Sequence, residues 1–392
     1  MDFDLTEEQR LLQESVGKLI TDEYGFEKRK AYAKEPAGYS GERWKHYAEL
    51  GLLGLPFPES LGGSGGTPVE TMIVMEAFGR GLVLEPYLAT VILSGGLLRL
   101  AGSPAQQQEL IPAVAAGKRR LAFAYAERQS RYDLADVALT ARPAGGGYVL
   151  NGQKGVVLHG DSADRLIVSA RTAGGQRDAE GVSLFLMDPR AEGISIQGYP
   201  TIDGLRAAEI GFRDVKVGPD ALIGVKDQAL PVISRVIDSA IAAVAAEAVG
   251  AMTAMHELTV EYLKTRKQFG VPIGSFQALQ HRAVDMLVAL EQARSMAYLA
   301  TMMADSEDAA ERRRMISAAK VQVGRSVRFV GQQAIQLHGG IGMTMEYKVG
   351  HYFKRTSMID TLFGDADHHL AAVARGRIDR SDLSGVAPNP DK

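Results

Sequence analysis

The spacing of apolar residues changes twice along this chain, and nothing else in it constrains the fold as strongly. Over residues 1–118 the spacing is helical. Thr6 with Gln9 forms a capping box ahead of "EEQRLLQESVGKLI", and Thr67, Pro68 and Glu70 mark a second helix start. Just before it, "ESLGGSGG" lacks the preceding strand and the following Gly-Lys-Ser/Thr of a phosphate loop, so it reads as a turn. Over residues 119–226 the period becomes two. Asn151-Gly152, between two β-prone runs, predicts a hairpin there. The runs "DRLIVSARTA", "GVSLFLMDP", "GISIQGY" and "AAEIGFRDVKV" complete a compact β barrel or sandwich. Over residues 227–380 the helical period returns. Phe276, Leu279, Ala283, Met286, Leu290, Ala293, Ala297 and Ala300 step by threes and fours, the seam of an antiparallel four-helix bundle. Residues 381–392, which include "GVAPNPDK", read as a flexible tail. The expected fold class is α+β and multidomain: helical domain, β domain, helical bundle.

Composition narrows the function. The chain has 392 residues, enough for two or three domains with a large core. A net charge of −3 argues against a nucleic-acid groove or an anionic membrane surface. There is no cysteine, which excludes disulfides, thiolate catalysis and Cys-ligated metals and suits a reducing cytoplasm. The first twenty residues are acidic and amphipathic, unlike a signal peptide. No apolar run approaches the ~18 residues of a membrane span. A cytoplasmic setting is expected.

"TLFGDADHH", Thr361 to His369, concentrates reactive groups. Asp365, His368 and His369 stand at i, i+3 and i+4, so they can share a helical face. A metal site needs about four donors and outer partners that orient them. Polar residues at a helix start more often cap it. Metal site, general-base site and polar turn are the three readings of the stretch.

Four longer stretches carry a resemblance: "RKQFGVPIGSFQALQH", "QLHGGIGMTMEY", "ELGLLGLPFPESLGG" and "NGQK". Together they resemble the acyl-CoA dehydrogenase family of flavoproteins along essentially the whole chain. Within it, the chain is most similar to small subunits that work beside a distinct large subunit. The resemblance implies FAD as cofactor, an acyl-CoA substrate oxidised to the 2,3-enoyl-CoA, and an electron-transferring flavoprotein as acceptor. It implies a site shared between subunits, one holding the flavin ring and its neighbour clamping the adenine dinucleotide end. For the clamp it implies Arg266 on the pyrophosphate, Phe269 and Gln277 nearby, and Gln336, Gly339 and Gly340 where backbone passes close to the cofactor. A guanidinium suits phosphate by charge and geometry, and glycine permits close approach.

On the ring side the chain departs from the family. The flavin-bonding threonine is Ala126; Arg131 and Tyr132 are bulky where the family is small; Val156 and Leu158 replace a tryptophan and a hydroxyl residue. Phe363 stands at the usual glutamate base, and Ala240 at the alternative base position on the long helix. Asp238 would point elsewhere, and Glu247 reads as a polar residue in an alanine-rich helix. Asp365 and Asp367 fall where flavin-facing polar residues are expected. The departures suggest a division of labour in an α2β2 assembly, this chain lending its clamp to a catalytic partner. The alternatives are a self-sufficient homo-oligomer whose base has moved to Asp365, a flavin monooxygenase or oxidase on the same fold, and a subunit binding no flavin.

Overall fold

A computed structural model describes residues 4–378. The proposed tail, 381–392, lies outside them. Six helices open the chain: α1 (Glu7–Glu23), α2 (Phe26–Tyr32), α3 (Gly41–Glu49), α4 (Pro68–Gly81), α5 (Gly95–Ala101) and α6 (Pro104–Ala115). Both anticipated capping boxes form, at Thr6/Gln9 and Thr67/Glu70. Between α4 and α5, Leu88–Ser94 is a π-helix.

Eight strands follow: β1 (Leu121–Ala124), β2 (Thr140–Ala144), β3 (Gly147–Leu158), β4 (Arg165–Arg171), β5 (Val182–Met187), β6 (Ile194–Pro200), β7 (Arg206–Val217) and β8 (Leu222–Ile223). Their order is β6-β7-β3-β2-β4-β5-β8, with β1 parallel to β4. A single pair, Thr140 with Arg171, joins the two halves. Leu150 and Phe212 from one half share an apolar cluster with Val168 and Phe185 from the other, so the halves face each other as in a sandwich.

The hairpin is not at Asn151-Gly152. β3 runs straight through that pair, and the turn lies at Gly145-Gly146, where φ is 58° and 81°. Two successive glycines at positive φ make the tight turn. Gly152 instead sits at a register shift against β7, where a Cβ would lie 2.8 Å from Leu139 Cα.

Five helices complete the chain: α7 (Leu230–Thr265), α8 (Gln277–Met303), α9 (Ala309–His338), α10 (Lys348–Thr361) and α11 (Ala366–Ile378). The α8 seam buries Met286, Leu290, Ala293, Ala297 and Ala300; Phe276 is exposed ahead of the helix. The central helix is α7. Its alanine-rich middle is buried all round, and α4, α8 and α9 pack against it. Gly79 and Gly250 let α4 and α7 touch: added Cβ atoms would lie 2.0 Å from the Glu247 carbonyl oxygen and 1.9 Å from that of Glu76.

Candidate functional site

The ring-side residues gather where the end of β1 meets the α10–α11 turn. Tyr125 stacks on Phe123, centroids 5.1 Å apart, and lies near parallel to Phe363 at 6.5 Å. The strand end and the turn that would face a flavin ring therefore face each other. Ala126 and Leu158 offer no hydroxyl. Lys154, fully buried, fixes the strand end by donating to the Tyr125 carbonyl (3.1 Å), Glu127 Oε1 (2.7 Å) and Ser169 Oγ (3.0 Å). Burial pushes its ammonium down to about 8, with Glu127 opposing.

Phe363 has φ 60° and Gly364 φ 113°, so the turn is built with left-handed backbone. Two buried side chains hold it. Lys320 Nζ donates to the carbonyls of Ile359 (2.6 Å) and Asp360 (2.8 Å) at the end of α10. His369 Nε2 lies 3.1 Å from the Phe363 carbonyl and its Nδ1 3.1 Å from Ser317 Oγ. A carbonyl only accepts, so Nε2 carries the proton and the serine donates to Nδ1. Burial, then Lys320, lowers His369 to about 3.

Asp365 Oδ1 accepts from the His368 N–H at 2.8 Å and so caps α11. His368 packs on Tyr132 at 5.1 Å, while Asp367 is exposed. The polar cluster of "TLFGDADHH" is thus dispersed: Asp365 caps, His369 braces Phe363, and Asp367 faces solvent.

Under Leu158 and Leu362 lies a cavity of about 30 Å³, which also touches Glu85, His159, Glu247 and Arg355. Glu247 does face inward, but Arg355 grips both its oxygens, Nε to Oε1 at 2.5 Å and Nη2 to Oε2 at 2.7 Å. Arg355 Nη1 also holds Asp203 Oδ2 at 2.8 Å, and Arg29 Nη2 donates to the Asp203 carbonyl at 2.9 Å. This knot ties α2, the β6–β7 loop, α7 and α10 together. Both oxygens of Glu247 are therefore occupied by a buried guanidinium. Asp238 is likewise committed, to Arg312 and Arg313. His159 is 5% exposed and its Nδ1 has no partner; burial and Arg355 lower it to about 3. Glu85 accepts from Tyr24 and from the Ser40 N–H, and burial raises it to about 7.

The clamp residues lie elsewhere and are exposed. Arg266 follows the end of α7, Gln277 opens α8, and Gln336 precedes Gly339 and Gly340 at the end of α9. Tyr262, one turn before Arg266, stacks on His338 at 4.6 Å, and Tyr347 packs on the same histidine at 5.1 Å. That aromatic stack brings the two motifs together. Phe269, 91% exposed with φ 54°, meets Phe276 edge-on. Met343 and Met345 are also exposed. Ser317, which braces the ring-side turn, and Gln336 are nineteen residues apart on one helix (336 − 317), roughly 28 Å at ~1.5 Å per residue.

Three sequence profiles match in order: the acyl-CoA dehydrogenase N-terminal domain over residues 6–118, the middle domain over 122–215 and the C-terminal domain over 230–378. The chain belongs to the acyl-CoA dehydrogenase family. This is a family of FAD-dependent oxidoreductases that act on the CH–CH bond of acyl-CoA thioesters. Among its relatives is the CarC subunit of the caffeyl-CoA reductase–Etf complex of Acetobacterium woodii, 31% identical over 78% of this chain and 82% of that one. Among solved structures, the ChsE4–ChsE5 complex of Mycobacterium tuberculosis aligns with TM-score 0.86 at 26% identity, covering 97% of this chain and 99% of that one. The FAD complex of PigA aligns with TM-score 0.88 at 28% identity, covering 96% and 98%. No helix among the described residues is long and apolar enough to cross a membrane.

Sequence reasoning missed Tyr125, Arg355, Asp203 and Glu85. Tyr125 directly precedes Ala126, so its bulk is visible in the sequence beside a departure already noted. Arg355 and Asp203 are 152 residues apart in sequence, with no local pattern to join them.

Proposed function

We propose that this chain is the non-catalytic half of a two-subunit acyl-CoA dehydrogenase, lending its clamp to the FAD site of its partner. The observation that carries the reading is the contact of Tyr125 with Phe363 where a flavin ring would need room. FAD, when bound, supplies the acceptor for the hydride leaving the acyl chain. In this chain Arg266 would pair with its pyrophosphate with Phe269 nearby, Gln277 and Gln336 would offer polar contacts, and Gly339 and Gly340 would let backbone pass close to the cofactor. The clamp lies roughly 28 Å along α9 from the chain's own ring-side turn, so it serves a second chain. The resemblance to the small subunit of a pimeloyl-CoA dehydrogenase supports an α2β2 assembly, as does the likeness to ChsE4–ChsE5, itself a complex of two chains. Likeness to a subunit of an Etf complex supports an electron-transferring flavoprotein as acceptor.

A homo-oligomer with Asp365 as base fits less well, because that carboxylate already caps α11. The test is to purify the chain alone and together with the acyl-CoA dehydrogenase-like protein encoded nearest to it. Expected are a colourless single chain and a yellow complex holding one FAD per pair of subunits. One tightly held FAD per isolated subunit, with turnover, would refute the reading.

A further inference from the structure

Helix α8 carries two ridges. The inner one is the buried seam of Met286, Leu290 and Ala293. The outer one runs along the opposite side through His281, Val284, Val288 and Glu291, again in steps of three and four. Counted from Val284 at ~100° per residue, Val288 lies ~40° to one side and Leu287 ~60° to the other. All three face solvent: Val284 is 58% exposed, Leu287 41% and Val288 51%. A helix that is apolar all round is ordinarily buried all round.

Helix α9 widens the patch. It runs antiparallel beside α8: Ser326 Oγ donates to the Ala289 carbonyl at 2.8 Å, and Arg282 Nη1 to Gln333 Oε1 at 3.0 Å. Phe329 lies midway between those two contacts, level with the valines, and is 37% exposed. Polar groups rim the patch: Arg282 and Asp285 on one flank, and Glu291, which pairs with Arg294 at 3.3 Å. An apolar centre inside a polar rim is the layout of a protein contact.

The spacing of the ridge says what covers it. Two copies of α8 laid antiparallel about a two-fold axis level with Met286 set Val284 against Val288 of the second copy. The same register sets His281 against Glu291 of the second copy. Apolar groups meet apolar ones, and an imidazole meets a carboxylate. Sliding the helices by one heptad either way spoils both layers. It brings Val288 onto the Glu291 carboxylate, or His281 onto Val284, and so buries a polar group against a valine. The ridge therefore complements itself in one register.

We propose that α8 is a self-association surface, through which two copies of this chain pair antiparallel by Val284, Leu287 and Val288, flanked by Phe329. The surface lies wholly on this chain, so the inference stands without the subunit reading. In an α2β2 assembly the contact would join the two clamp-bearing chains, and Gln277 lies one turn beyond its end.

Sedimentation equilibrium of the purified full chain, up to ~100 µM, measures the dimer constant. Wild type should dimerise. Val288→Glu should weaken the dimer at least ~100-fold, because each copy would bury a carboxylate against a valine. Residue 288 is exposed in the single chain, and a melting curve checks that the variant is folded. His281→Glu should weaken the dimer at least ~10-fold by facing Glu291, and Glu291→Lys added to it should restore the affinity. The chain has no cysteine, so engineered thiols report the register. Leu287→Cys, whose two copies lie roughly 3 Å apart along the helix axes, should give a disulfide-linked dimer on mild oxidation. Gln280→Cys, roughly 18 Å apart in the same direction, should not. None of these readouts depends on flavin. A chain that stays monomeric, a dimer that survives Val288→Glu, or equal cross-linking at 280 and 287 would overturn the proposal.

Discussion

The two ends of α9 look out on regions built to opposite rules. Near Ser317 the side chains are largely engaged: Phe363 lies against Tyr125, His369 and Lys320 hold the turn, and Arg355 holds both oxygens of Glu247. Near Gln336 the side chains are exposed, among them Arg266, Phe269, Met343 and Met345. Exposed apolar groups rimmed by polar ones mark a surface awaiting a partner. An enzyme that completed its own site would need room in the first region. Under the two-subunit proposal, the first region is filled and the second is kept for the partner's cofactor. The largest expected effect follows: Arg266→Ala should strip most FAD from the partner's site, at least a tenfold loss of flavin absorbance per complex. The isolated chain's melting temperature should barely move, since Arg266 is exposed. Unchanged flavin content would break the comparison at its open end.

The closed end breaks differently. Glu247→Ala leaves a buried guanidinium with Asp203 alone, and breaking a buried pair costs about 3–5 kcal/mol. Urea unfolding should show that loss, while flavin per folded complex stays constant. Glu85 adds a pH signature. Its folded value is about 7 against 4.5, so the native state keeps a proton that the unfolded chain releases. That stability is full below pH 4.5 and is lost as pH rises through 7, about 3 kcal/mol for one such group. His159 and His369, near 3 when folded, act oppositely: their contribution is full above 6.5 and lost as pH falls through 3. Comparing wild type with Glu85→Gln isolates the carboxyl. The variant should gain on wild type by about 2.5 kcal/mol between pH 5 and pH 8; an unchanged difference would mean that Glu85 is not held protonated.

Much of this contrast was legible in the chain. Periodicity marked the helices, the strands and the α8 seam, because burial on one face leaves a local record in sequence. Ala126, Leu158 and Phe363 could be read as losses position by position. The hairpin was misplaced because Asn-Gly and Gly-Gly compete for the same turn, and a long-range bulge against β7 decided between them. The reason the ring side is closed was not legible. The resemblance puts Phe363 where a base is expected, but only packing shows Tyr125 lying against it. Glu247 looked like a bland helix polar for the same reason, since Arg355 lies 108 residues away.

The smallest effect separates the capping and general-base readings of Asp365 most cleanly. If Asp365 only caps α11, Asp365→Ala removes one hydrogen bond at a helix start and costs about 1 kcal/mol. The melting temperature should fall by a few degrees, and the turnover of the assembled complex should stay within twofold. Asp365→Asn should restore most of the stability, since an amide oxygen caps nearly as well. A proton-abstracting carboxylate behaves otherwise. The asparagine variant would then be as dead as the alanine one, because an amide cannot take the proton. Under the first reading stability changes and turnover does not; under the second, turnover is lost in both variants even though asparagine keeps the stability. Asparagine decides between them because it keeps the cap and discards the base.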